Sequence, residues 1–485
     1  MSCASLIATL RKQGQLEEAY KRGRECLEQN REDSYLQRTF GWVLYDLIKR
    51  ELATVGDGDE QEDGKEQEIV SAKVNISDLD DWFWEYEQLH LLPRPDLLHS
   101  LMLGLACKAH KAGWWCFVQF IRQCGFPENL REEDCQERRT SDDTPPLMSL
   151  ELRVYLRLAN ALLKDNLQEE DKEWVFGLLQ SEGLSRYPDD PWLHRAVGIA
   201  LWQKGGNHEA LQHLRHTLRK KQKDWWIWAE VARVYREIDP QIALHCYYHA
   251  YQLQRDKSFL VSVYEEIASL LAEQQEYEAA AWFVHEAVRI RTEKSWRIPD
   301  SLEQLRRARW CVQYPAPRCP KIAPSRATLF CVLHGISPNQ LTETRGFVDH
   351  HNPKQEGAYI RTGSEEDAGI FVRYEKCPSL RKQPEGTVVA LTLYETDGRK
   401  TVVECLPLPD QQEIEGFLEW CEGAFRKRAE QAFGFVHVGD RTVFVPPHLA
   451  SHHNDGEQLK VLACRKWNPK RNEMGWSAVR VEPAE

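Results

Sequence analysis

Two stretches near the C-terminal end carry the residue types that grip single strands of nucleic acid by stacking. Phe433-Gly434-Phe435-Val436 and Val443-Phe444-Val445 set aromatic rings at alternate positions of apolar runs. Cys464-Arg465-Lys466-Trp467-Asn468-Pro469-Lys470-Arg471 places an indole inside a basic run. A flat exposed ring stacks on any base, each such contact contributing roughly 1–3 kcal/mol, while nearby cations follow the phosphates. The candidates are therefore Phe433, Phe435, Phe444, His448 and Trp467 as stacking groups, with Trp476 beside them. Arg465, Lys466, Lys470 and Arg471 are the matching cations, with Arg441 and Lys460 nearby. Tyr359, Phe371 and Arg373 offer a second, sparser set upstream. Alternate strand residues face opposite ways, so about half of such rings belong to a core. Phe433 and Phe435 share one parity and go together, outward or inward.

Other chemistry is thin. There is no phosphate-binding Gly-rich loop, no His-Glu-x-x-His, no nucleophile elbow and no kinase set, so no enzyme activity and no cofactor are expected. His448, His452, His453 and Asp455 crowd one loop, but their spacing fits no standard metal-ligand pattern and reads as a solvated loop. Arg219-Lys220-Lys221-Gln222-Lys223 reads as a cationic helix end. The chain of 485 residues has a net charge of −12, which excludes a wholly basic nucleic-acid coat but not a local basic patch. Residues 321–485 hold 21 Lys/Arg and 23 Asp/Glu, so any such binding is local. Fourteen cysteines without a Cys-x-x-Cys pair read as reduced core thiols. No stretch is apolar enough to span a membrane and the first residues show no cleavage pattern, so a cytoplasmic protein is expected.

The longest element positioning these groups lies upstream. Between Trp192 and Arg291 apolar residues recur at helical spacing: Trp192, Ala196 and Ala200, then Trp225, Ala229 and Ala232. Trp192 and Trp226 stand 34 positions apart, and Ala210 and Ala243 stand 33 apart. Gly205-Gly206 and Asp239-Pro240 punctuate the helices. This stretch resembles tetratricopeptide repeats, whose period is about 34 residues. The resemblance implies stacked helical hairpins with a groove for a protein partner. Residues 1–310 are read as one such solenoid, with acidic insertions near 54–72 and 128–147. Four prolines between Val312 and Ala327 then mark a boundary, beyond which the period becomes 2.

Strands are expected at Gly346–His350, Gly357–Arg361, Gly369–Tyr374, Thr387–Tyr394 and Thr401–Leu406. The text Gly346-Phe347-Val348, Asn352-Pro353-Lys354, Gly357-Ala358-Tyr359-Ile360, Ile370-Phe371-Val372-Arg373 and Pro384-Glu385-Gly386 resembles the cold-shock type of OB-fold. Tyr359 is the one aromatic in the place of that family's first RNA-binding motif, and His350 and His351 stand where Trp and Phe are usual. Residues 325–410 are thus the first OB-like barrel. Residues 411–432 are read as a linking helix with Ile414, Phe417, Leu418, Cys421 and Phe425 as its apolar stripe. Residues 433–485 are a second, shortened copy, with strands at Leu459–Cys464 and Trp476–Val481 and no opening strand of its own.

The expected fold is α+β and multidomain: an α-solenoid of helical hairpins followed by two small OB/cold-shock-like β-barrels. The resemblances imply a non-enzymatic adaptor, its repeats holding a protein and its barrels holding RNA or single-stranded DNA. Two alternatives stay open: a pure protein-interaction scaffold in a stress or defence complex, and an accessory subunit of a nucleic-acid-processing enzyme.

Overall fold

The computed structural model describes residues 2–55, 74–137, 146–365, 368–408, 413–468 and 472–484. The acidic stretch Gly56–Glu68 and the pair Lys470 and Arg471 lie outside the described residues. Two compact units emerge, Met1–Asp239 and Pro240–Glu485.

In the first unit helices start where a side chain can accept the free amides of the first turn. Asp190 accepts from Trp192 and Leu193 at 2.9 and 3.0 Å, and Pro191, which has no amide hydrogen to satisfy, follows it. Helix Pro191–Gln203 ends at Gly205, whose φ of +82° turns the chain back into helix Asn207–Lys220. The two helices approach closely: a Cβ on Gly198 would sit 3.0 Å from Leu214, and Ala196 and Ala210 are fully buried. Helix Trp225–Ile238 packs on Asn207–Lys220 in turn. The repeat period is visible as contacts between equivalent positions. Trp192 and Trp226 stack with centroids 5.4 Å apart, and Arg195 donates to Glu230 at 2.9 Å. These are stacked helical hairpins of tetratricopeptide type. Nearer the N-terminus, Cys3–Lys12, Leu16–Gln29 and Ser34–Glu51 pack on one another in the same manner. Part of the expected insertion at 128–147 is in fact packed. Asp134 is fully buried, paired with Arg131 and accepting from Ser100 at 2.5 Å.

The second unit begins with helices Pro240–Leu253, Val261–Glu273 and Tyr277–Glu293 and passes through the proline-rich segment to helix Arg326–His334. The first β module follows: β1 (Leu341–Asn352), β2 (Gly357–Arg361), β3 (Gly369–Arg373), β4 (Val388–Thr396) and β5 (Arg399–Pro407). They form an antiparallel curled sheet in the order β3-β2-β1-β4-β5. Val348, Ile360, Val372, Val389 and Leu391 fill its concave side. The expected strands are all present, and β1 extends five residues further back than the text signalled.

The expected linking helix at 411–432 is overturned. Leu418–Arg426 is a strand, β6, and it opens the second module. It is joined by β7 (Gly434–Val438), β8 (Arg441–Val445), β9 (Gln458–Asn468) and β10 (Glu473–Pro483). The apolar spacing of Leu418, Cys421 and Phe425 suits a helix locally. Pairing with β9 on one side and β7 on the other wins because it satisfies the strand's backbone groups within a closed barrel. That barrel has the order β10-β8-β7-β6-β9, closed by a parallel bridge between β8 and β10. The second module is therefore complete. Both modules share one strand order, that of the OB-fold.

Candidate nucleic-acid interface

In the second module alternation decides where each ring points. Phe425, Val436, Val443, Val445 and Val461 are buried in the barrel interior. Phe435 and Phe444 lie between those inward residues and must face outward. They stand directly opposite one another across β7 and β8. Phe433, just before β7, completes a triangle with centroid separations of 5.8, 5.6 and 5.8 Å. The rings are half-buried and lean on each other at steep angles, which is the preferred geometry of aromatic clusters. Arg426 of β6 pairs with Phe435 on the same face and its side chain is 60% exposed. Residues 419–481 carry ten Lys/Arg against seven Asp/Glu, so this module is locally positive although the chain is acidic.

The remaining candidates spread out. His448 is exposed on the short helix Pro447–Ala450 that follows β8. Arg465 is exposed and Lys466 and Trp467 are half-buried at the end of β9. By alternation Lys466 has the parity of Cys464, whereas Arg465 and Trp467 have the opposite one. Trp476 sits opposite Val443, with core parity, and Arg441 lies over its ring at 5.4 Å. Neither indole joins the Phe435 face.

The first module repeats the ring pair on its corresponding strands. Tyr359 of β2 is directly opposite Phe371 of β3, and His350 of β1 stacks on Tyr359 at 5.4 Å with planes 16° apart. Glycines let these rings lie down on the sheet. A Cβ on Gly369 would be 2.2 Å from the Tyr359 ring, and one on Gly357 would be 2.4 Å from Phe371. Arg373, two residues on from Phe371, is exposed on the same face. The structure thus assembles two ring platforms, Phe433/Phe435/Phe444 and His350/Tyr359/Phe371.

Sequence reasoning missed Arg426, because its segment was assigned to a helix. The signal was available in the run Arg426-Lys427-Arg428 just before Phe433. It also missed Trp420 of β6, whose ring lies between Lys460 at 5.4 Å and Arg480 at 5.3 Å.

In the histidine loop, His453 bonds Glu457 at 3.0 Å, while Asp455 accepts from the Lys427 amide at 2.9 Å. Among the described residues no group of three His, Cys, Asp or Glu could hold a metal ion. Ten of the fourteen cysteines are buried. Burial pushes the Cys464 thiol up to about 11. Among the described residues no helix is long and apolar enough to cross a membrane.

Hairpin repeats and two OB-ordered modules define the class: a tetratricopeptide-like protein with C-terminal cold-shock-like domains. Residues 419–481, the closed barrel, match the family model described as S1/CSD-like domain 2 of the TOTE conflict systems. Residues 191–320 match a domain of unknown function, DUF7017. Among solved structures the chain is similar to the human IFIT1 dimer with m7Gppp-AAAA, at 14% identity and a TM-score of 0.31, covering 60% of this chain and 57% of that one. The chain thus spans little more than half the length of that protein. It is also similar to the TPR2AB domain of yeast Sti1 in complex with pHSP90, at 13% identity and a TM-score of 0.21, covering 62% of this chain and 95% of that one. No curated protein matches the chain.

Proposed function

We propose that this chain is a non-enzymatic adaptor that binds single-stranded RNA or DNA on its second β module and a protein partner on its helical repeats. The observation that carries the reading is the outward triangle of Phe433, Phe435 and Phe444 with Arg426 beside it. Three rings on a convex sheet face have no partner in the barrel core, and bases supply what they lack. The match of this barrel to a domain of the TOTE conflict systems supports a role in a defence or conflict complex. Fourteen cysteines, ten of them buried and none in a Cys-x-x-Cys pair, favour a reducing compartment such as the cytoplasm.

Fluorescence anisotropy with labelled oligo(rU) and oligo(dT) tests the reading. The wild-type chain is expected to bind at least one of them, with affinity falling as salt rises. Phe435→Ala with Phe444→Ala should weaken binding by at least tenfold, as about 1–3 kcal/mol per stacked base requires. Unchanged binding in that variant, with its circular dichroism intact, overturns the proposal. Comparing the two oligomers separates RNA from DNA.

A further inference from the structure

The two ring platforms lie on the outer faces of two modules that meet at a buried seam, and the outward-facing row of the barrel traces how they are connected. Phe444 on β8 stands opposite Ser477 on β10, and Ser477 stands opposite Cys464 on β9. Cys464 is not open surface. With Leu418 and Leu462 it packs against Phe347 and Val388 of the first module in one shared core. Phe347 in turn stands opposite Arg361 on β2, and Arg361 is two residues from Tyr359 on the same face. Arg361 stands opposite Phe347, and Lys466 is two residues beyond Cys464 on the same face of β9, so both cations flank this seam, Arg361 paired with Asp349 at 3.5 Å. Strands about 4.8 Å apart, about 6.6 Å for two residues along a strand, and about 10 Å between the packed sheet faces at Cys464 and Phe347 make the route from Phe444 to Tyr359 on the order of 30 Å.

The seam is fastened as well as packed. The Trp467 amide donates to the Ser364 carbonyl at 3.1 Å, tying the end of β9 to the segment after β2. The Arg465 amide donates to Phe417 at 2.9 Å, and the Phe417 ring rests on Phe347 at 5.4 Å. Hydrogen bonds and a common apolar core hold the modules together, so a strand bound to one is presented to the other at a set distance.

We infer that the two β modules form a single composite track for one single-stranded nucleic acid, running from Phe435/Phe444 across the Lys466–Arg361 seam to Tyr359/Phe371. The inference rests on the stacking reading of the second module and extends it to site size. A second contact reached within the same molecule adds avidity to the first, provided the strand is long enough to span both. A short oligomer occupies one platform; a long one engages both.

The full-length chain is titrated with labelled 6-mers and 15-mers of the same base. The roughly ten positions that a six-nucleotide site can take on a 15-mer account for at most about tenfold of any difference. Wild type is expected to favour the 15-mer by about fiftyfold or more. Tyr359→Ala with Phe371→Ala should bring the ratio down to tenfold or less, and Tyr359→Leu with Phe371→Leu, which keeps apolar bulk without the flat ring, should do the same. A ratio as large as wild type in both pairs of variants overturns the composite track while leaving the second module's binding intact. Loss of all binding to wild type, or none of it lost in Phe435→Ala with Phe444→Ala, overturns the stacking reading itself.

Discussion

In the second β module β8 and β10 run side by side in parallel and close the barrel, whereas the corresponding strands of the first module, β3 and β5, are the two ends of a curled sheet. The strand order is otherwise the same. Closure leaves the second module without a free sheet edge. In the first module β5 is instead covered by helix Arg326–His334, which also touches helix Pro240–Leu253. The ring platforms differ in step. Three phenylalanines brace one another on the closed barrel, while on the open sheet Tyr359 and Phe371 lie flat over glycines beside an exposed histidine. The lesson is that one strand pair can be kept as a platform while the rest of the barrel is rebuilt around a neighbour.

The comparison breaks most visibly if the closed core is opened. Phe425→Ala removes a fully buried ring from the second barrel and should cost about 3–5 kcal/mol in urea unfolding followed by tryptophan fluorescence. A cost below about 1 kcal/mol would mean that the Phe425 ring is not packed in a closed barrel core. Next in size is the seam. Leu462→Asp places a carboxylate between Phe347, Val388 and Leu418, and should split one unfolding transition of the β modules into two. A single unshifted transition would show that the modules do not share a core.

Acid offers a way to address the helical unit separately. Burial holds His99 and His213 down to about 4, from an ordinary 6.5. His213 bonds His194 at 2.9 Å, and His194 is also depressed by burial. Each of these rings is held neutral in the folded state, so their contribution is complete above pH 6.5 and is lost as pH falls toward 4. The melting temperature of Met1–Asp239 should therefore drop across that window, and His213→Gln should flatten the drop. The smallest effect belongs to Arg426→Gln, which should lower the slope of log affinity against log salt by about 0.7, the share of one single-strand phosphate. An unchanged slope removes Arg426 from the interface.

Much of this architecture was legible in the text. The boundaries of β2 follow directly from Gly357 and the alternation of Ala358, Tyr359 and Ile360. The 34-residue spacing of Trp192 and Trp226 anticipated two rings that stack. The misreading of 411–432 has a physical cause: Leu418, Cys421 and Phe425 satisfy a helical stripe, and the partners that make them a strand lie up to 46 residues away, at Cys464. Arg426 went unseen for the same reason. The opposite parities of Lys466 and Trp467 could be read from their numbers, but not which of the two faced the seam.

Local patterning by itself determined that the chain has paired helices followed by short strands, and which residue types each strand offers, because helix and strand periods are properties of neighbours in sequence. Whether Phe435 and Phe444 look out or in, whether a sheet closes, and that Phe347 and Cys464 share a core were decided only by the tertiary structure. The side of a strand that becomes interior is the side other strands cover, and that depends on contacts between residues far apart in the chain.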